Sequence, residues 1–216
     1  MYLPAHFAEQ RPEVLQGLVQ AHPLGLLVTL SGDAAAGPQA NPIPFFLDAD
    51  PAGGPGILRA HVARANPVWR EARTDMPSLV VFQGAQAYVS PGWYPSKAEH
   101  GKVVPTWNYM TVQARGPLRA VDDREWLRAL VTRLTARHEA TRAAPWAVTD
   151  APAPFVETML GAIVGIEIVL TELTGKWKVS QNRSAADRAG VRQGLAEQGH
   201  ADAVALSSAP AGGAST

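Results

Sequence analysis

Cysteine is absent from the 216 residues. Disulfides, thiolate zinc sites and cysteine nucleophiles are therefore excluded, and nothing in the chain calls for an oxidising compartment. Net charge is missing too, because 19 Lys and Arg are balanced by 19 Asp and Glu. A protein that coats nucleic acid, an acidic polymer or an anionic membrane carries an excess of one sign. Charge therefore gives DNA binding no support, and any DNA contact has to be local. No stretch approaches the roughly 20 apolar residues of a membrane span, and the start, M-Y-L-P-A-H-F, has no basic segment followed by an apolar run. The expected setting is the cytoplasm, with no membrane partner. Catalytic signatures are also lacking: no G-x-S-x-G, no P-loop, no G-x-G-x-x-G after a strand, and no H-x-x-x-H or H-E-x-x-H among the six histidines. No metal is expected, no residue is put forward as catalytic, and no helix-turn-helix with a basic recognition helix is found.

What is present reads as a globular chain, 46% hydrophobic and 18% charged. We expect one domain over residues 1–205 and a flexible Ala/Gly/Ser/Pro tail over 206–216, where S-S-A-P-A-G-G-A-S-T has too little apolar surface to fix itself. Pro12 opens a short amphipathic helix with Val14, Leu15, Leu18 and Val19 at helical spacing. L-G-L-L-V-T-L and Q-A-N-P-I-P-F-F-L form a hairpin with a long connection, and Pro42 and Pro44 confine the second half to an edge. A strand from Ile57 to about Val62 leads to a helix with Asn66 as N-cap and Pro67 as first residue. L-V-V-F suggests a strand buried on both faces over Leu79 to Gln83, with a second strand from Gln86 to Ser90 beyond Gly84. Asp122 with Glu125 gives a capping-box start to a helix whose stripe is Trp126, Leu127, Leu130, Val131 and Leu134. Pro152 or Pro154 starts another helix, I-V-G-I-E-I-V-L alternates as a strand, and Ser184 with Asp187 caps the last helix. The sum is mainly β, about seven antiparallel strands with peripheral helices, best fitted by a small β-barrel.

The most informative stretch is E-H-G-K-V-V-P-T-W-N-Y-M-T-V-Q, Glu99 to Gln113. By the period of two, Trp107, Tyr109, Thr111 and Gln113 share one face of a strand, with Asn108, Met110 and Val112 on the other. His61 and Arg64 beside the helix start at Asn66 suggest an anion site. Lys176 and Lys178 flank Trp177, with both ammonium groups on one side, and Gln181 follows in a loop. His61, Arg64, Asn66, Gln83, Trp107, Asn108, Tyr109, Lys178 and Gln181 together suit a planar, phosphate-bearing ligand. Cations would serve the phosphate, amides a ring edge, and aromatics the stacking. Flavin mononucleotide (FMN) is such a ligand.

Several blocks in fixed order resemble the PaiB family of FMN-binding negative transcriptional regulators: M-Y-L-P-A-H-F, A-H-P-L-G, H-V-A-R-A-N-P-V-W, A-Y-V-S-P-G-W-Y-P-S-K, E-H-G-K-V-V-P-T-W-N-Y, P-W-A-V-T-D, I-V-G-I-E-I and G-K-W-K-V-S-Q-N-R. The resemblance covers most of the chain. It implies the FMN-binding split β-barrel and a homodimer with flavin sites at the subunit interface. Arg64 and Asn66, with His61 beside them, become phosphate-side candidates. Trp107, Asn108 and Tyr109 become candidates for the ring or the dimer interface, and Lys178 with Gln181 for a wall of the site. The sequence departs from the family pattern in A-N-P-I-P, where Pro42 stands in place of a histidine. Three functions follow as expectations. The first is a redox-responsive repressor, the second a flavin-dependent oxidoreductase of the NAD(P)H type, and the third a haem-binding relative using His61 or His100 as axial ligand.

Overall fold

Proline and capping side chains decide where the helices begin. The computed structural model describes residues 1–208. After β1 (Ala8–Glu9), α1 (Pro12–Ala21) starts on a proline whose missing N–H has no partner to lose, and buries Leu15, Leu18 and Val19. Next come β2 (Leu24–Leu30), β3 (Pro38–Pro44), β4 (Phe46–Asp48), β5 (Ile57–Ala63) and the four-residue α2 (Val68–Glu71). Asn66 does cap α2, its Oδ1 accepting the Val68 N–H at 3.0 Å, but Pro67 precedes the helix rather than opening it. β6 (Ser78–Val89) is one strand where the sequence suggested two. Gly84 does not break it. The residue instead lets the strand pass close to Leu18, whose Cδ1 lies 3.1 Å from where a Cβ would stand.

The remaining elements are α3 (Ser96–His100), β7 (Thr106–Gly116), β8 (Leu118–Val121), α4 (Arg124–Glu139), α5 (Ala153–Gly161), β9 (Ile163–Val169), β10 (Glu172–Lys178) and α6 (Ala185–Glu197). α4 is capped one residue later than expected: Asp123 accepts the Trp126 N–H at 2.7 Å. That leaves Asp122 available for Arg64. The expected stripe holds, with Leu127, Leu130 and Leu134 buried. Ser184 caps α6 by accepting the Asp187 N–H at 3.1 Å.

The fold is a split β-barrel: its strands form antiparallel sheets that do not close on themselves. The chain divides into two compact units. The first is Met1–His22, Gln83–Val112 and the chain from Thr174 onward; the second is Pro23–Phe82 and Gln113–Leu173. In the first unit the strand order is β1-β10-β7-β6. Its core gathers Val89, Tyr94, Val191, Leu195 and Leu206. Leu206 and Ser207, which the sequence placed in the tail, are buried: Leu206 packs in this core and the Ser207 hydroxyl donates to the Ala203 carbonyl at 2.7 Å. The rest of the expected tail, from residue 209, lies outside the described residues.

α6 crosses Trp93 with glycine at the crossing. A Cβ on Gly194 would lie 2.3 Å from the Trp93 ring. Gly194→Ala is therefore expected to cost about 2 kcal/mol through overpacking. Gly17→Ala, where a Cβ on α1 meets nothing within 4 Å, should instead stabilise by about 0.5–1 kcal/mol through helix propensity. Thermal unfolding of the pair checks both; a neutral Gly194→Ala would overturn the packing argument.

The second unit contains the order β6-β2-β3 and a separate sheet β4-β5-β9-β8. β3 lies at an edge, as its prolines require. On β2 and β3 the opposed pairs Leu24–Pro44, Leu26–Pro42, Val28–Ala40 and Leu30–Pro38 share one face. Leu24 is 63% exposed and Leu26 41%, so this outer face is apolar and uncovered within the chain. Leu79 and Val81, opposite Val28 and Leu26, extend it onto β6. The expected two-sided burial of L-V-V-F is thus only half realised, since Val80 and Phe82 are buried while Leu79 and Val81 are partly open.

Candidate functional site

In the first unit, the period-two reading of β7 is realised. Trp107 is 54% exposed and Tyr109 half-buried on one face, while Asn108 and Val112 are buried on the other. The Tyr88 ring, on the exposed face of β6, meets Trp107 edge-on, with centroids 6.2 Å apart. Gln83 and Gln86 are exposed on the same strand, and the Gln83 Nε2 donates to the Gln86 Oε1 at 3.2 Å.

β10 supplies the cations. Trp177 turns inward and is 5% exposed. Lys176 Nζ donates to the Tyr2 carbonyl at 3.0 Å and lies 5.5 Å from the centre of the Tyr109 ring. Lys178 Nζ donates to the Thr106 hydroxyl and, at 2.7 Å, to the Trp107 carbonyl. Burial, reinforced by the nearby charges of Lys176 and Arg183, pushes the Lys178 ammonium below the usual lysine range. An additional anion would relieve the strain that lowers it.

Two expected members of this group have other work. The Asn108 amide faces the interior and donates to the Ser180 hydroxyl and the Leu206 carbonyl, each at 2.8 Å. Both amide protons are used, so Asn108 ties β7 to the turn at Ser180 and to the end of the described chain. Gln181 is folded onto that same turn: its Nε2 donates to the Trp177 carbonyl and its Oε1 accepts the Val179 N–H at 2.8 Å. These bonds hold Ser180 at φ 64°, a left-handed conformation unusual for a side chain.

In the second unit, the anion site expected around Arg64 and Asn66 is occupied by the protein's own groups. Arg64 forms a bidentate pair with Asp122 at 2.6 and 2.8 Å and donates to the carbonyls of Gly161, at 2.8 Å, and Ile163, at 3.1 Å. The Arg64 hydrogen bonds hold the Asp122 carboxyl below its ordinary range. Asn66 spends its amide on Asn41 Oδ1 at 3.1 Å as well as on α2. A four-residue helix adds little dipole. His61 lines a hollow between α4 and α5, and burial pushes its imidazole below the usual histidine range. His100 is exposed and accepts the Lys102 N–H at Nδ1, 3.0 Å. Pro42 sits opposite Leu26 on the apolar outer face of β2 and β3.

The face of the first unit fits FMN by the chemistry of its donors. An exposed indole with a tyrosine against its edge suits a planar ring, the exposed amides of Gln83 and Gln86 suit the ring's polar edge, and partly desolvated ammonium groups suit a phosphate. The sequence missed Tyr88, Gln86 and Lys176 as members. The alternation Gln86, Tyr88 along β6 was a usable signal for the first two.

Such a face on a split barrel is compatible with a flavin. Among solved structures, the flavocytochrome of Azotobacter vinelandii shares the fold at a TM-score of 0.58, 13% identity, and coverage of 85% of this chain and 75% of that one. The family model described as "Putative FMN-binding domain" matches residues 1–172. An uncharacterized protein of Emericella nidulans is 36% identical over 92% of each chain. The Protease synthase and sporulation protein PAI 2 of Bacillus subtilis is 30% identical over 87% of this chain and 85% of its own. The chain belongs to this FMN-binding, PaiB-like family, as its sequence blocks suggested, and FMN is its cofactor. No helix among the described residues is long and apolar enough to cross a membrane.

Proposed function

We propose that this chain is a homodimeric FMN-binding regulator of the PaiB type, in which bound flavin sets the state of the dimer. The observation that carries the flavin part is the open face of the first unit, where Trp107 and Tyr88 stand beside Lys178. When bound, FMN supplies one- and two-electron redox chemistry. The protein's share would be binding: Trp107 would offer a face to the ring with Tyr88 against the indole's edge, Gln83 and Gln86 would bond the ring edge, and Lys176 and Lys178 would balance the phosphate. No side chain need act as acid or base.

The dimer reading rests on the outer face of β2 and β3, which is apolar throughout its paired positions and carries no charge. Exposed apolar faces of this kind are uncommon on monomers, and a self-complementary contact between two copies covers them with a two-fold axis. Flavin sites at the subunit interface are what the resemblance to the family implies. A regulatory role is supported by the similarity to the Bacillus sporulation protein; the balanced charge means that DNA would be met by a local surface.

A second reading, a flavin-dependent oxidoreductase, is favoured by the half-exposed Trp107, which leaves one side of the site open to a second molecule. One preparation separates the two. FMN bands retained at about one per subunit, a sedimentation coefficient of a dimer, and negligible NAD(P)H oxidation support the regulator. Steady NAD(P)H turnover supports the oxidoreductase, and protein that stays colourless after addition of FMN overturns both.

A further inference from the structure

We infer that the hollow between α4 and α5 is a binding site for a small, uncharged aromatic carbonyl compound, anchored by His61. The hollow has a volume of about 420 Å³, within the range of small-molecule sites. It lies wholly in the second unit and is walled by Val131 of α4, Trp146 and Val148 of the following segment, Phe155 and Met159 of α5, and Ile163. No Asp, Glu, Lys or Arg lines it, so a charged ligand would lose its hydration without recompense. Trp146, Phe155 and Met159 remain 48%, 55% and 44% exposed. That is a concentration of apolar surface which folded chains ordinarily cover.

His61 is the polar anchor. Its Nδ1 is fully buried and has no hydrogen-bond partner. A bare acceptor is tolerated in an interior more readily than an orphaned N–H, which assigns the ring proton to Nε2. With Nδ1 closed off, Nε2 is the donor that His61 has left for the hollow, whose lining also carries the Thr135 hydroxyl and the Trp146 indole in an otherwise apolar wall. The matching ligand is flat and apolar with one acceptor oxygen at its rim. A second copy of the chain is the alternative occupant, and the sedimentation reading in the test distinguishes it. The inference does not rest on the FMN reading.

The test uses the protein as purified and Prodan, an uncharged naphthyl ketone whose emission moves to the blue in apolar surroundings. Saturable blue-shifted emission at one site per subunit is expected, displaced by acetonaphthone and by ethylnaphthalene. His61→Leu should weaken acetonaphthone about fivefold, the worth of one neutral hydrogen bond, and leave ethylnaphthalene unchanged. Phe155→Ala should weaken both about tenfold. Flavin absorbance and sedimentation are read on the same samples. Absence of saturable emission, equal loss of both competitors in His61→Leu, or a change of oligomeric state in Phe155→Ala would overturn the site. Flavin lost together with ketone binding would do the same, since the hollow would then belong to the cofactor.

Discussion

Lys178→Met is expected to weaken FMN retention about thirty-fold, whereas Arg64→Met should leave retention intact and lower only the thermal midpoint. Lys178 stands beside the exposed Trp107 with an ammonium held by two oxygens, and burial with two neighbouring cations already disfavours its charge. A phosphate or anionic ring edge placed there gains a charged hydrogen bond, typically about 1.5–3 kcal/mol; about 2 kcal/mol corresponds to thirty-fold. The lowered lysine pKa also fixes a sign. The positive charge is lost as pH rises through a value below that of ordinary lysine, so FMN affinity should decline at a less alkaline pH than an exposed lysine would dictate. Arg64 differs because Asp122 and two carbonyls already use its guanidinium. Equilibrium dialysis of FMN against both variants decides the matter. Equal losses would return Arg64 to the phosphate, and no loss in Lys178→Met would remove Lys178 from it.

That contrast shows what was legible in the sequence. The two faces of β7 could be read because the period of two is local, and burial of Asn108 and Val112 against exposure of Trp107 follows from it. α4 and α6 could be read from capping side chains and apolar spacing. What could not be read is which polar groups the protein uses on itself. Arg64 meets Asp122 across 58 residues and Gly161 across 97, while Asn108 meets Leu206 across 98. No spacing rule reaches that far, so an internally satisfied arginine and a ligand-binding one look alike in sequence. The same distance hid the burial of Leu206, because S-S-A-P-A-G-G is low in apolar content and the residue just before it gives no local sign of packing.

The apolar outer face of β2 and β3 was half legible for a related reason. Alternation in L-G-L-L-V-T-L is weak because leucine stands on both faces, and only the register with Pro38, Ala40, Pro42 and Pro44 shows that the outward side is apolar as well. Pro42 acquires a physical meaning there. A proline removes a strand donor and adds apolar surface opposite Leu26, so on this face the departure from histidine favours contact with another protein surface over a polar ligand.

Glu167→Gln should produce the largest loss of stability. Glu167 is buried on β9, 8% exposed, and accepts from Arg59 Nε at 2.9 Å and Arg119 Nη2 at 2.6 Å. The three residues lie directly opposite one another on β5, β9 and β8. Asp48 extends the row by pairing with Arg59 and Arg133. Removing one charge from a buried pair typically costs about 3–5 kcal/mol. The lower end, about 3 kcal/mol, applies because Arg59 keeps Asp48 and Arg119 is largely exposed. For a chain of this size that lowers the midpoint by roughly 6–12 °C. Burial pushes the Glu167 carboxyl up, but hydrogen bonds from Arg119 and Arg59 outweigh it and leave the group below its ordinary range. A depressed carboxylate pKa contributes stability that is present above the unfolded value, about pH 4, and is lost as pH falls through the folded value. The wild-type midpoint should therefore drop in acid more steeply than that of Glu167→Gln, whose amide does not titrate. Unfolding curves from about pH 7 to pH 3 should show the two midpoints converging as the carboxylate takes up its proton. A gap that stays constant across that range would mean that the side chain stabilises β5, β9 and β8 by packing rather than by charge.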